Sequence, residues 1–160
     1  MLSDFEKLAS TAGELLRAKS YKLVTAESCT GGLLSAAITS VAGSSKWFER
    51  GFVTYSNESK QEVLGVQTVE EFGAVSEQTA CAMARGALKN SHAEVSLAIT
   101  GVAGPDGGTK EKPIGTVWIA CVVKGESAHA TLNHFAGNRQ SVREQAVSAA
   151  LNLLFDALQL

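Results

Sequence analysis

The chain has 160 residues, and its pattern predicts a three-layer α/β/α sandwich on a mixed sheet, in one domain spanning 1–160. Three observations carry that expectation. Strand-like segments alternate with segments of helical apolar periodicity along the chain. Two consecutive strand-like segments late in the chain are separated only by Lys124, Gly125 and Glu126, which makes them an antiparallel hairpin. The length suits one domain, and 45% hydrophobic residues suffice for one full core.

In chain order, Ser3 and Glu6 have the spacing of a capping box ahead of a first helix. That helix repeats Phe5, Leu8, Ala9, Ala12, Leu15 and Leu16 at helical intervals. Residues 21–26 read as a strand, and Leu33, Leu34, Ala37, Ile38 and Val41 as the apolar face of a second helix that Gly43 ends. A second strand is expected over 51–56. It is followed by one or two helical turns stopped at Gly65. Ser76 then caps a longer helix that buries Ala80, Met83, Ala84, Ala87 and Leu88. The apolar segment 94–100 predicts a strand inside the sheet. A loop with five glycines and both prolines leads to strands over 116–123 and 127–135. The last helix starts near Asn138, with Ser141 and Glu144 as a second capping-box pair. Its buried face is Val142, Ala146, Ala149, Ala150, Leu153, Leu154 and Leu158.

Composition removes several classes of function. Net charge is −2 with mixed signs, and no like-charge run or basic patch marks a nucleic-acid binder. No apolar run approaches the ~18 residues of a membrane span. The N-terminus lacks the pattern of a secretory signal. Cys29, Cys81 and Cys121 are odd in number and lack C-x-x-C spacing, so neither a disulfide framework nor a zinc site is expected. A cytoplasmic protein with reduced thiols follows.

Ligands of open α/β sheets bind beyond the carboxyl ends of strands. Three polar stretches stand at such ends: ESCTGG, YSNESK and TGVAGPDGGT. In the first, Ser28 or Thr30 serves either as a plain helix cap, with Gly31 and Gly32 for the turn, or as part of a nucleophile site. In the second case helix N–H groups would stabilise an oxyanion. Ser28 and Cys29 are adjacent nucleophile candidates, and none of His92, His129 and His134 sits where it would activate either one. Lys60 is the remaining base. It is either a solvated lysine or one whose burial has lowered its pKa enough to accept a proton. The glycine-rich loop is not a Walker A motif. It is either a surface loop or an anion-binding nest. Arg139 and Arg143 open the last helix, as surface residues or as a grip on phosphate.

AESCTGG, FVTYSNESK, TGVAGPDGGTKEKPIGTVW and GNRQSVREQAV, in that order over about residues 5–155, together resemble the C-terminal domain family of the competence/damage-inducible protein CinA. The resemblance implies hydrolysis of the carboxamide of nicotinamide mononucleotide to nicotinic acid mononucleotide and ammonia, within NAD salvage. It implies a serine–lysine pair, Ser28 and Lys60, and a substrate site that includes Tyr55, Thr30, Gly31, Thr100, Gly101, Arg143 and Arg139. The implied partner is a small-molecule nucleotide, no metal and no cofactor are implied, and a homo-oligomer is compatible with it. Two rivals remain at this level. One is a nucleotide-binding regulatory module without catalysis, and the other is a thiol enzyme using Cys29.

Overall fold

The computed structural model describes residues 2–159; Met1 and Leu160, the ends of the expected 1–160 span, lie outside the described residues. A 3-10 turn, Leu2–Phe5, runs into α1 (Glu6–Ala18), followed by β1 (Leu23–Glu27), α2 (Leu33–Thr39) and β2 (Phe48–Val53). Then come α3 (Asn57–Leu64), a single turn α4 (Val69–Phe72), α5 (Glu77–Lys89), β3 (Val95–Gly101), β4 (Thr116–Val123), β5 (His129–His134) and α6 (Arg139–Leu158). Among the described residues no helix is long and apolar enough to cross a membrane.

The strands form one sheet in the order β2-β1-β3-β4-β5. β1 pairs in parallel with β2 and with β3, while β4 runs antiparallel to β3 and β5. Strand alternation sorts the apolar residues onto two faces. Leu23, Val95, Leu97, Ile99, Val117, Ile119 and Cys121 face α1, α2 and α6. Val24, Ala26, Ala98, Ala120 and Val122 face α5. These are the three layers and the mixed sheet that the alternation and the late hairpin predict.

Topology places the site. β1, β2 and β3 are parallel neighbours, so residues 28–32, 54–60 and 101–115 all leave the sheet at the same edge. β4 runs the other way and begins at that edge. It closes the glycine-rich loop through Val102 N–H to Thr116 O at 2.8 Å and Gly115 N–H to Val102 O at 2.7 Å.

Local details differ from the sequence expectation in four places. The second helix stops at Thr39, short of Val41, because the chain turns at Ser40 and Gly43 instead leads a 3-10 turn, Ser44–Lys46. Ser3 does not cap α1; the preceding 3-10 turn buries Phe5, which occupies the cap position without a side-chain bond. The second strand lies at Phe48–Val53, three residues earlier than expected at both ends. Gly51 is a mid-strand residue, where a Cβ would approach Thr25 Oγ1 to 2.6 Å and Ser35 Oγ to 2.7 Å. At α6 the cap is Asn138, whose Oδ1 accepts Ser141 N–H at 2.9 Å, and not a Ser141–Glu144 box. Ser56, Ser76 and Gly65 act as the local rules require. Each serine accepts the N–H three residues on, and Gly65 ends α3 in the left-handed region at φ 70°.

Candidate active site

Ser28 is the first residue beyond β1. Its N–H donates to Ile99 O of β3 at 3.0 Å, and its carbonyl accepts Gly31 N–H at 3.0 Å. The serine thus stands on a short turn fixed to the sheet on one side and closed on the other. Lys60 reaches it from α3. Its chain is buried, at 1% exposure, and Nζ lies 2.8 Å from Ser28 Oγ, 2.9 Å from Thr54 O and 3.1 Å from Tyr55 O. Ser56 makes this reach possible, because its cap starts α3 within one turn of the β2 end.

Burial pushes the Lys60 ammonium below its ordinary value. An amine has two N–H bonds and one lone pair. In the neutral form, with the two main-chain carbonyls taking the N–H bonds, the lone pair would face Ser28 Oγ. That arrangement can receive the serine proton.

Cys29 is also buried, and desolvation pushes its thiol up to about 11. It is therefore a neutral thiol at physiological pH and a poor nucleophile. Cys81 and Cys121 are buried and free.

The capping role considered for Ser28 or Thr30 belongs to neither. Glu27, the last residue of β1, is wholly buried. Its Oε1 accepts Thr30 Oγ1 at 2.6 Å, Leu34 N–H at 2.9 Å and Gly32 N–H at 3.3 Å. Its Oε2 accepts Ser35 N–H at 3.0 Å and Ser35 Oγ at 2.7 Å. Glu27 escapes a reading by motif spacing. The available signal was a carboxylate ending an otherwise apolar strand immediately before a helix start, where the dipole favours an anion.

The other expected site residues divide into two groups. Tyr55, Gly101 and Arg139 line an open groove of ≈ 270 Å³ together with Cys29, Val75, Gly104 and Asp106. Across it Arg139 donates to Gly104 O at 2.8 Å and to the Tyr55 hydroxyl at 3.1 Å, tying the glycine-rich loop to the β2–α3 corner. Gly101 permits a close approach, since a Cβ there would come within 2.6 Å of Val117 Cγ2. The remaining residues serve the scaffold by their side chains or main chain. Thr100 is buried and donates to Ala74 O at 2.7 Å, fixing the segment ahead of α5. Thr30 spends its hydroxyl on Glu27, and Gly31 its N–H on Ser28 O. Arg143 donates to Cys29 O at 3.1 Å and Thr30 O at 2.9 Å, so α6 clamps the nucleophile turn from above.

These bonds narrow where an oxyanion could sit. Of the 30–32 N–H groups, Gly31 and Gly32 are engaged, whereas Thr30 N–H has no protein acceptor among the described residues. A larger concavity of ≈ 560 Å³ lies along α3 and α4, lined by Asn57, Glu58, Gln61 and Glu70, away from Ser28 and without a nucleophile.

Known proteins resemble the chain over nearly its whole length. The family model for the CinA C-terminal domain matches residues 5–158. The nicotinamide-nucleotide amidohydrolase PncC of Escherichia coli K12 is 47% identical over 155 residues, covering 96% of this chain and 94% of that protein. A CinA-like protein of Syntrophobacter fumaroxidans is 51% identical over 155 residues, and there the match spans only 36% of the relative's length. Among solved structures, a competence/damage inducible protein from Agrobacterium tumefaciens superposes with a TM-score of 0.94 at 42% identity, over 98% of this chain and 96% of that one.

Proposed function

The chain belongs to the CinA C-terminal domain family, and on that premise we propose that it hydrolyses the carboxamide of nicotinamide mononucleotide through Ser28 and Lys60. The products are nicotinic acid mononucleotide and ammonia, which returns the nucleotide to NAD synthesis. Support for the substrate comes from the amidohydrolase of E. coli, similar over nearly its whole length. The observation that carries the mechanism is the Lys60 cradle, in which two carbonyls and the Ser28 hydroxyl surround a buried amine.

In this reaction neutral Lys60 takes the Ser28 proton as Oγ bonds to the carboxamide carbon. Thr30 N–H is the main-chain donor free to hold the oxyanion. Collapse breaks the C–N bond, the proton on Lys60 goes to the leaving nitrogen, and ammonia departs. A water molecule, deprotonated by the same amine, then cleaves the Ser28 ester and restores the serine. The positive pyridinium withdraws electrons from the carboxamide and makes its carbon more electrophilic. Tyr55, 61% exposed at the groove, offers a ring for that pyridinium to stack on.

The groove beside the turn fits the remainder of the nucleotide. Arg139 stands at its rim opposite the glycine-rich loop. Arg139 lines the groove and Arg143 does not, so Arg139 is the arginine assigned to the 5′-phosphate. The test is incubation of the protein with nicotinamide mononucleotide and assay of both products. Stoichiometric ammonia and nicotinic acid mononucleotide are expected. Tight binding with no ammonia would contradict the reading and leave a regulatory nucleotide-binding module.

A further inference from the structure

Given Ser28 as nucleophile, on which this inference rests, we propose that Glu27 is a positioning residue for the reaction. Its carboxylate holds the 28–32 turn in reactive geometry, and its main chain holds the cradle of the base. The carboxylate is enclosed, at 0% exposure, by five donors from Thr30, Gly32, Leu34 and Ser35. A group surrounded only by donors fits the ionised, acceptor-only form.

An ordinary helix cap satisfies one N–H two or three residues on. Glu27 does more, because its partners lie on both limbs of the turn. Thr30 is inside it, and Gly32, Leu34 and Ser35 are on α2. Together with the Arg143 clamp on the Cys29 and Thr30 carbonyls, this leaves Ser28 little freedom to swing away from Lys60. The main chain of the same residue makes the second link. Glu27 O accepts Thr54 N–H at 2.9 Å, and Thr54 O is one of the two carbonyls that hold Lys60 Nζ. One strand end therefore sets the separation of nucleophile and base. Glu27 also occupies the N-terminal donors of α2 from inside, so the substrate phosphate is excluded from that helix end and must bind elsewhere.

Of the turn only Cys29 lines the groove, whose other walls, Tyr55, Gly101, Gly104 and Arg139 among them, belong to other segments and do not include Glu27. Loosening the turn should therefore lower kcat and leave KM nearly unchanged. Glu27→Gln keeps the shape but turns one acceptor into a donor that faces other donors. A displacement of about 1 Å at the reacting atoms costs on the order of 100-fold, and a kcat loss of that size is expected. Ser35→Ala removes the hydroxyl partner of Oε2, together with that hydroxyl's bond to Thr25 Oγ1, and should lower kcat in the same direction by a smaller factor.

The experiment measures kcat and KM for nicotinamide mononucleotide on the native enzyme, Glu27→Gln and Ser35→Ala. Rates are referred to the folded concentration found by circular dichroism. A fall in kcat at near-native KM supports the proposal. A folded Glu27→Gln with native kcat, or a loss residing wholly in KM, overturns it. If Glu27→Gln does not fold, native kcat in Ser35→Ala overturns it. Native enzyme that releases no ammonia would overturn the amidase reading, and this inference with it. Native turnover with unimpaired variants would overturn this inference alone.

Discussion

Lys60 sets the pH behaviour expected of the molecule. Its ammonium titrates near 10.5 when unfolded and lower when folded, because burial disfavours the charge. Only the amine can take the Ser28 proton, so the acylation rate should rise with pH and level off at a value below 10.5. The sign for stability is the same. Between the folded and unfolded values the unfolded chain binds more protons, so this residue makes stability increase with pH through that window. Its cost is fully present at lower pH. Melting curves from neutral to alkaline pH should show that rise in the native protein and lose its Lys60 component in Lys60→Met. Lys60→Arg should be nearly as inactive as Lys60→Ala, since a guanidinium keeps its proton. Near-native ammonia release by Lys60→Arg would mean that the residue acts only as a cation. Cys29→Ala should retain most activity, because a thiol held at about 11 contributes no thiolate near neutrality. Loss of turnover in that variant, with Ser28→Ala still active, would favour the thiol reading.

The elements carry the reactive groups, so their seating has catalytic consequences. α3 ends at Leu64 and Gly65, directly against Gly86 of α5, where an added Cβ would collide with Leu64 O. Gly86→Ala should cost roughly 1–3 kcal/mol through that overlap and displace the helix that bears Lys60. A lower melting temperature accompanied by reduced kcat would show both effects, and an unchanged melt would mean that α3 yields freely. Asn138 caps α6, which carries Arg139 and Arg143 in its first turns. Asn138→Ala should cost about 1 kcal/mol by denaturant titration. What the sequence conveyed at this scale was short-range chemistry. Ser76 and Gly65 were legible because the serine bonds the N–H three residues on and the glycine ends its own helix. Glu27 was not, because its partners extend from Thr30 to Ser35 and converge only once the turn is folded. The clamp that Arg143 makes was hidden for a similar reason. Its partners lie 113 and 114 residues away in sequence, and no spacing rule reaches that far.

At the scale of the whole molecule, three polar stretches that sequence could only place at separate strand ends become one site. The order β2-β1-β3 brings those ends together in parallel. The alternation of elements made the layers legible, whereas strand order depends on pairings between distant segments. In the proposed reaction the convergence also sets specificity, since the groove that Arg139 spans joins the glycine-rich loop to the Tyr55 corner. If the 5′-phosphate binds there, its energy is available in the transition state. One charge-assisted interaction of roughly 1.5–3 kcal/mol corresponds to about ten- to a hundredfold in kcat/KM. Nicotinamide riboside should be the poorer substrate by that factor, and Arg139→Ala should shrink the difference. Equal kcat/KM for the two substrates on the native enzyme would remove the phosphate site from the groove. The central claim is that Ser28, activated by the buried amine of Lys60, attacks the carboxamide. The most direct measurement is ammonia release from nicotinamide mononucleotide by Ser28→Ala beside the native enzyme, with both shown folded. The account predicts rapid release by the native protein and none above background from the variant. Comparable release from both would contradict it.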